Sequence, residues 1–378
     1  MIFKSARLML GFVACLTTPV LADTLTDVAG RTVELDLPAK RVLLGEGRQV
    51  HVLAALKGDD TFKNIVGWRD DLIIKDPDSY AGYLEKFPEI SSLPRFGYIP
   101  QGKFDLESAI KLAPDVLTMN IESKAAIDES GLEQKAEAAG IKLVYVDFRS
   151  DPERNSNASI EILGKLFGAE EKAKEFVAFR NEQIALVTDR LAQAKDLKRP
   201  TVFIEQAPGI WGGIECCRTF GPYNFGEMID MSGGHNIGAD VLTTTFGTLN
   251  PEQLIVANPD MVMVTGSNWA ADSDVNAFVP VGRGADPELN KARLKGLMER
   301  SPFAMLPAVE NGKVYAVWHQ FYGVPYDFVP IQQFAKWFQP DLFKDLDPEQ
   351  SFRTFHERFL PIAYKPGYFA SLDEAANK

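Results

Sequence analysis

Two stretches of this chain carry the same pattern. Residues 107–115 read Glu-Ser-Ala-Ile-Lys-Leu-Ala-Pro-Asp and run into Val116-Leu117-Thr118-Met119. Residues 252–260 read Glu-Gln-Leu-Ile-Val-Ala-Asn-Pro-Asp and run into Met261-Val262-Met263-Val264. In both, a glutamate stands seven residues before a Pro-Asp pair that opens an apolar run. Each copy predicts a short helix, stopped by proline, that feeds a buried parallel strand. One such unit per half predicts two similar α/β lobes. Lobes of this kind hold a ligand between them, and each carries a carboxylate, Glu107 or Glu252, at the same place.

A chain of 378 residues has room for two cores. With 46% hydrophobic and 24% charged residues it has the composition of a globular protein rather than a disordered one. Residues 1–22 read as a secretory signal: Lys4 and Arg7, then a short apolar core from Leu8 to Leu16, then Pro19-Val20-Leu21-Ala22 before Asp23. Cys15 invites a lipoprotein reading, but Phe12 and the apolar stretch beyond it favour simple cleavage after Ala22. The expectation is a mature protein that is soluble and exported. Loss of the signal removes two cations and moves the net charge from −12 to −14. An acidic surface disfavours nucleic acid and anionic membranes as partners, yet permits an anion in a local basic cleft. Beyond the signal, cysteine is confined to the adjacent Cys216 and Cys217, which either form a vicinal disulfide or remain two free thiols.

Residues 27–35 alternate around a turn and predict an N-terminal hairpin. Arg41–Leu44 and Asn64–Arg69 read as buried strands, with a loop at Gly45-Glu46-Gly47-Arg48 and a helix near Gln49–Leu56 between them. Residues 70–103, rich in Pro, Gly, Tyr and Phe, read as a long irregular excursion that could form a lid. A helix over Ile127–Ala139, stopped by Gly140, leads to a strand at Ile141–Asp147. Helices are predicted near 156–167 and 170–194, the first bridging the lobes. The second lobe restarts at Thr201–Glu205. A loop covers 206–224, then come a helix at Phe225–Met231, the second repeat opened by Asn250-Pro251, and a last strand at Lys313–Val317. Helices over Gln332–Phe338 and Glu349–Phe359 end the chain. The expected fold is α/β: two Rossmann-like lobes with mainly parallel central sheets joined by one long interdomain helix. The lobes are placed at 23–152 and 171–378, with the bridging helix at 153–170.

Taken together, these pieces resemble the periplasmic substrate-binding proteins of siderophore, haem and cobalamin ABC transporters. The resemblance rests on Asp27-Val28-Ala29-Gly30-Arg31, the two Glu-x6-Pro-Asp units and Met231-Ser232-Gly233-Gly234-His235-Asn236-Ile237. It also rests on Trp337-Phe338-Gln339-Pro340-Asp341-Leu342-Phe343-Lys344-Asp345. It implies capture of a nutrient complex and delivery to an inner-membrane permease, with Glu107 and Glu252 at the positions that meet permease arginines in similar proteins. It also implies a monomer.

In an open α/β sheet the ligand lies beyond the carboxyl ends of the strands. The loops there offer Arg48, Trp68 and Arg69, and the excursion adds Arg95, Phe96 and Tyr98. The second lobe offers Trp211, Arg218, Tyr223, Trp269, Arg283, Trp318, His319 and Tyr322. Guanidinium groups and aromatic faces together suit a large, partly apolar, anionic chelate. The four histidines, at 51, 235, 319 and 356, form no cluster at ligand spacing, so the chelator rather than the protein is expected to hold the iron. His235 is expected to be structural and His356 to lie on the surface. A haem or cobalamin ligand is the alternative, with His51, His319 or a tyrosine as axial ligand.

No Gly-x-Ser-x-Gly elbow, phosphate loop or His-Glu-x-x-His is present, so an enzyme is not expected. A two-lobed exported enzyme remains a remote reading, with Asp147 and Glu205 as its candidate carboxylates.

Overall fold

The computed structural model describes residues 23–210, 215–269 and 277–373. The signal-like residues 1–22 and Trp211 lie outside them.

A hairpin comes first, β1 (Asp23–Thr26) against β2 (Thr32–Leu35). The Asp-Val-Ala-Gly-Arg segment is its turn. Asp27 Oδ1 accepts the amides of Ala29 and Arg31 at 3.0 and 3.1 Å, and Asp27 Oδ2 accepts Arg31 Nη2 at 2.8 Å. Arg31 also donates to the Leu143 carbonyl at 2.7 Å, which pins the hairpin on the first lobe.

The sheet of the first lobe is wholly parallel, in the order β5-β4-β3-β6-β7. Its strands are β3 (Val42–Leu44), β4 (Ile65–Arg69), β5 (Arg95–Phe96), β6 (Val116–Asn120) and β7 (Lys142–Val146). Alternate residues go to opposite faces and both faces are apolar. Leu43, Leu117, Leu143 and Tyr145 enter one core, and Val42, Val116, Val144 and Val146 the other. This is how a parallel sheet covered by helices on both sides must read. The connecting helices are α1 (Val50–Lys57), α2 (Asp71–Lys75), α3 (Pro77–Lys86), α4 (Leu106–Lys111), α5 (Lys124–Ser130) and α6 (Leu132–Ala138).

The second sheet runs β11-β9-β8-β12-β13-β14, with β10 beside β8. Its strands are β8 (Thr201–Glu205), β9 (Arg218–Phe220), β10 (His235–Asn236), β11 (Phe246–Thr248), β12 (Met261–Gly266), β13 (Val314–Trp318) and β14 (Phe369–Ser371). The central strands are parallel, β9 and β14 run against them, and β11 pairs antiparallel with β9. Helices α9 (Phe225–Met231), α10 (Pro251–Ala257), α11 (Pro287–Met298), α12 (Pro307–Glu310), α13 (Phe328–Phe338) and α14 (Pro348–Phe359) cover it.

The chain passes between the sheets through α7 (Pro152–Phe167) and α8 (Glu170–Gln193). α7 lies on β7 and α1, and its Glu153 meets Glu227 of α9. α8 packs against α1 of one lobe and α13 of the other, and Arg180 on α8 donates to Asp327 at 2.8 Å.

The two repeat units occupy equivalent places. α4 precedes β6, which lies beside the lobe's first strand β3; α10 precedes β12, which lies beside β8. Both helices end on a left-handed residue at the same position, Ala113 and Asn258, each with φ 43°. The aspartate of each Pro-Asp pair staples the neighbouring strand. Asp115 accepts the amides of Lys40 and Arg41 at 2.8 and 2.9 Å, and Asp260 accepts the amide and hydroxyl of Thr201 at 2.8 and 2.9 Å.

Four expectations need correction. Residues 70–103 are ordered by helices α2 and α3 and the edge strand β5, because Asp76 accepts the Ser79 amide and Pro77 opens α3. The helix expected over 127–139 is two, split at Gly131, whose φ of 63° ends α5. β13 is not the last strand, since β14 returns along its edge. His356 is buried rather than on the surface. It packs on Phe352 and Tyr364, and burial lowers its pKa to about 4.

Candidate ligand-binding cleft

The carboxyl ends of the two sheets enclose a cavity of about 250 Å³. The first lobe lines it with Arg48, Arg69, Lys75, Tyr98, Gln101 and Arg149, and the second with Ala207, Ile210, Trp269, His319, Gln320 and Tyr322.

Arg48 is placed by a tight turn after β3. The backbone of Gly47 presses on the Arg69 carbonyl, where a side chain would collide, and its amide donates to Asp71 Oδ1 at 2.6 Å. Arg48 is 3% exposed. Its Nε donates to Asp71 Oδ2 and its Nη2 to Glu46 Oε1, both at 2.8 Å. Its Nη1 crosses the cleft to Gln320 Oε1 at 2.7 Å and the Tyr322 hydroxyl at 2.9 Å. Arg149 reaches the same places from the loop after β7, with Nη2 2.7 Å from Glu46 Oε1 and Nη1 3.2 Å from the Tyr322 hydroxyl. Arg69 stacks on Tyr98, 3.9 Å from the ring centroid. A third tie between the lobes is Asn224, whose amide donates to the carbonyls of Arg149 and Tyr322 at 2.9 and 2.8 Å.

Among the described residues four cations thus line the cavity and no carboxylate does. Glu46 and Asp71 lie behind the arginines, buried. Burial would raise the Asp71 pKa, but Arg48 and Arg69 outweigh it and hold Asp71 below its ordinary value. Burial likewise opposes the charge on Arg48 and Arg149, yet the negative groups around them, Glu46 foremost among the carboxylates, keep both pKa values raised. Both arginines are firmly charged. His319 goes the other way: burial, then Arg48 and Lys75, push its pKa well below the ordinary value, so the ring is neutral. Its Nδ1 is 2.9 Å from Thr265 Oγ1, which leaves Nε2 for a ligand. Convergent guanidinium groups beside phenol and indole faces can bind an oxyanion or a planar anionic group.

Of the residues expected from sequence, Arg48, Arg69, Tyr98, Trp269, His319 and Tyr322 meet here. Trp68 and Trp318, 0% and 1% exposed, do not. Trp68 points to the sheet face opposite Arg69 and packs edge-on to Phe62, and Trp318 packs among His51, Phe321 and Tyr368. Phe96 packs on Phe104 in the first-lobe core. Arg95 and Tyr223 are exposed and line no part of the cavity. Arg218, at the start of β9, donates to Gln206 Oε1 at 2.6 Å, beside the cleft. Arg283 lies over Gly82 of α3 and donates to the Ala363 carbonyl at 3.1 Å, away from the cavity. Cys216 and Cys217 are joined by a disulfide. Asp147 accepts the amides of Arg149, Ser150 and Asp151, and Glu205 pairs with Arg300 at 2.6 Å. Both carboxylates are occupied by structural bonds. Arg149, Lys75, Gln101 and Gln320 were not foreseen. Arg149 lies three residues past the end of β7, so the rule that gave Arg48 would have found it.

The fold and this cleft define a two-lobed ligand-binding protein. The chain belongs to the periplasmic binding protein family, matched over residues 45–319. The crystal structure of a TroA-like periplasmic binding protein, FepB, from Veillonella parvula is 33% identical, covering 92% of this chain and 98% of that one, with a TM-score of 0.81. A cobalamin-binding protein of Halobacterium salinarum is 31% identical over 119 residues. That match spans 31% of this chain and only 30% of the relative's length. The molybdate-binding MolA of Haemophilus influenzae shares the fold at 18% identity, with 91% and 99% of the two chains covered and a TM-score of 0.69. Members of the family bind small molecules and associate with ABC transporter permeases. Among the described residues no helix is long and apolar enough to cross a membrane.

Proposed function

We propose that this protein captures a ferric, siderophore-type chelate in the interlobe cleft and delivers it to an ABC permease of the inner membrane. The observation that carries this reading is a cavity lined, among the described residues, by four cations, two phenols and an indole and by no carboxylate, in a chain of net charge −12. Such a lining selects an anionic ligand with apolar or planar parts. The chelator holds the iron, and the protein recognises its oxygens and faces. A volume of about 250 Å³ suits a compact chelate or the metal-bearing core of a larger one. The protein works as an exported monomer, its signal removed after Ala22, and as a carrier without catalytic turnover. Glu107 and Glu252, exposed in the first turns of α4 and α10, dock on the permease.

Native mass spectrometry of protein purified from its source cells, with the co-purified ligand identified, tests this directly. Quenching of Trp269 fluorescence by a panel of ferric hydroxamates, catecholates and carboxylates is the second test. Failure across the whole panel defeats the ferric reading. The neutral His319, with Nε2 unengaged, favours haem or cobalamin as the second reading. A Soret band on adding haemin, lost in His319→Ala, would establish it.

A further inference from the structure

Arg149 lines a second cavity as well as the first. This one has a volume of about 280 Å³ and lies between Glu122, Arg149 and Ser150 of the first lobe and Thr244, Thr245 and Phe246 of the second. The two cavities together more than double the room of the first. Both walls of the second are fixed by the backbone. Glu122 follows β6, and its amide donates to Oδ1 of the buried Asn120 at 3.1 Å. The Ser150 amide donates to Asp147 Oδ1 at 2.8 Å. On the other lobe the Thr245 carbonyl accepts the Gly221 amide at 3.0 Å. A side chain at Gly221 would collide with the Thr244 carbonyl, so glycine lets the threonines lie this close to the sheet. Phe246 packs edge-on to Phe220, with ring centroids 5.4 Å apart.

The two cavities differ in chemistry. The first presents cations and, among the described residues, no carboxylate. The second presents three hydroxyls, a phenyl ring and the carboxylate of Glu122. Glu122 Oε2 stands 3.2 Å from Arg149 Nε, but without the alignment of a hydrogen bond, and that buried Nε has no hydrogen-bond partner. Burial, then the charge of Glu122, raises the Tyr98 pKa, so Glu122 is felt in the first cavity too. A group that enters the second cavity meets a buried donor short of an acceptor, and a negative charge. An amide answers both, since its carbonyl can accept from Arg149 and its N–H can donate to Glu122. An anionic group is repelled.

We infer that the ligand is a two-part molecule: an anionic head held by Arg48, Arg69 and Arg149, and a neutral or cationic, hydrogen-bonding arm that passes Arg149 into the second cavity, where Glu122 excludes arms ending in an anion. The inference rests on the proposed capture of a ferric chelate, and it narrows the class to chelates larger than the first cavity. Glu122 determines specificity by acting against the wrong arm rather than for the right head.

The test uses the full-length mature protein and two synthetic sets of ferric chelates, one tris-hydroxamate and one tris-catecholate, with binding read by tryptophan quenching. Each set holds an armless core and the same core with one arm ending in an ammonium, an acetamide or a carboxylate. Relative to its core, the parent should bind the ammonium and acetamide arms roughly fivefold to tenfold more tightly than the carboxylate arm. Glu122→Gln should close that gap, whatever it does to affinity for the core, and Glu122→Lys should reverse it. Thr245→Trp, which fills the second cavity, should weaken the armed chelates more than the armless cores. A parent that binds all arms alike, a gap that persists in both Glu122 variants, or an equal effect of Thr245→Trp on armed and armless chelates overturns the inference and leaves ferric capture standing. If Thr245→Trp does not fold, the Glu122 variants decide alone. If no member of either set binds the parent, the ferric reading falls and the inference with it.

Discussion

The hydroxyl of Tyr322 accepts a hydrogen bond from Nη1 of Arg48 at 2.9 Å, across the boundary between the two lobes. Arg149 Nη1 approaches the same oxygen at 3.2 Å. One second-lobe phenol thus holds two first-lobe guanidinium groups in the cleft, and any anion that enters must compete with it.

Replacing that phenol by Tyr322→Phe leaves both arginines short of an acceptor. The ligand-free protein should lose about 1–3 kcal/mol of stability, the usual cost of stranding a buried donor. Urea denaturation of the two proteins without ligand checks this. An unchanged midpoint would mean that water replaces the phenol at no cost.

Glu46 is the counter-charge under the site. With Oε1 2.8 Å from Arg48 and 2.7 Å from Arg149, its replacement by glutamine removes the carboxylate the two buried cations share and leaves each a single one, Asp71 for Arg48 and Glu122 for Arg149. Glu46→Gln should destabilise the protein by about 3 kcal/mol, the low end for breaking a buried ion pair, because each arginine keeps a second carboxylate. An anionic ligand should restore part of the melting temperature in this variant, since it supplies the missing charge.

Stability should fall as the solution becomes alkaline. Burial, then Glu153 hydrogen-bonded beside it and the charges of Asp151 and Asp327, raise the Glu227 pKa from 4.5 to about 8. A carboxyl raised in the folded state binds more protons there than in the unfolded chain. Its contribution is therefore complete below the unfolded value and is lost as pH rises through about 8. Glu227→Gln should flatten the decline between about pH 4.5 and 8. A parent protein whose melting temperature is level over that window would contradict the assignment.

The aspartate staples of the repeat should act independently. Asp115→Ala and Asp260→Ala each remove an acceptor shared by two solvent-exposed donors at a strand start, at a cost of about 0.5–1.5 kcal/mol each. Because the two sites lie in different lobes and share no partner, the double variant should show the sum. Calorimetry of the single and double variants measures it.

Much of this architecture was legible in the sequence because the repeat repeats a physical need. Each Pro-Asp pair ends a helix and supplies a carboxylate to the adjacent strand, so its recurrence marks two equivalent crossovers. The site was legible only in part. Arg48, Arg69 and His319 stand at the carboxyl ends of their strands, where an open α/β sheet binds its ligand. The same rule overreached at Trp68 and Trp318, which still belong to their strands and so obey the alternation that sends one residue inward. Lys75 and Gln101 come from the segment between β4 and α4, where nothing local says which turns approach the other lobe. His356 looked exposed on a polar helix, but it shares the inward stripe with Phe352, Phe355 and Phe359.

The helix α8 has 24 residues, a rod of about 36 Å that touches both lobes. A rod resists bending, so the distance between Glu107 and Glu252 should hardly change when the cleft fills. An empty carrier and a loaded one would then present nearly the same footprint to the membrane. Traffic at the transporter becomes a contest between full and empty copies, and the rate of uptake should depend on the fraction of carriers that are loaded as much as on their number.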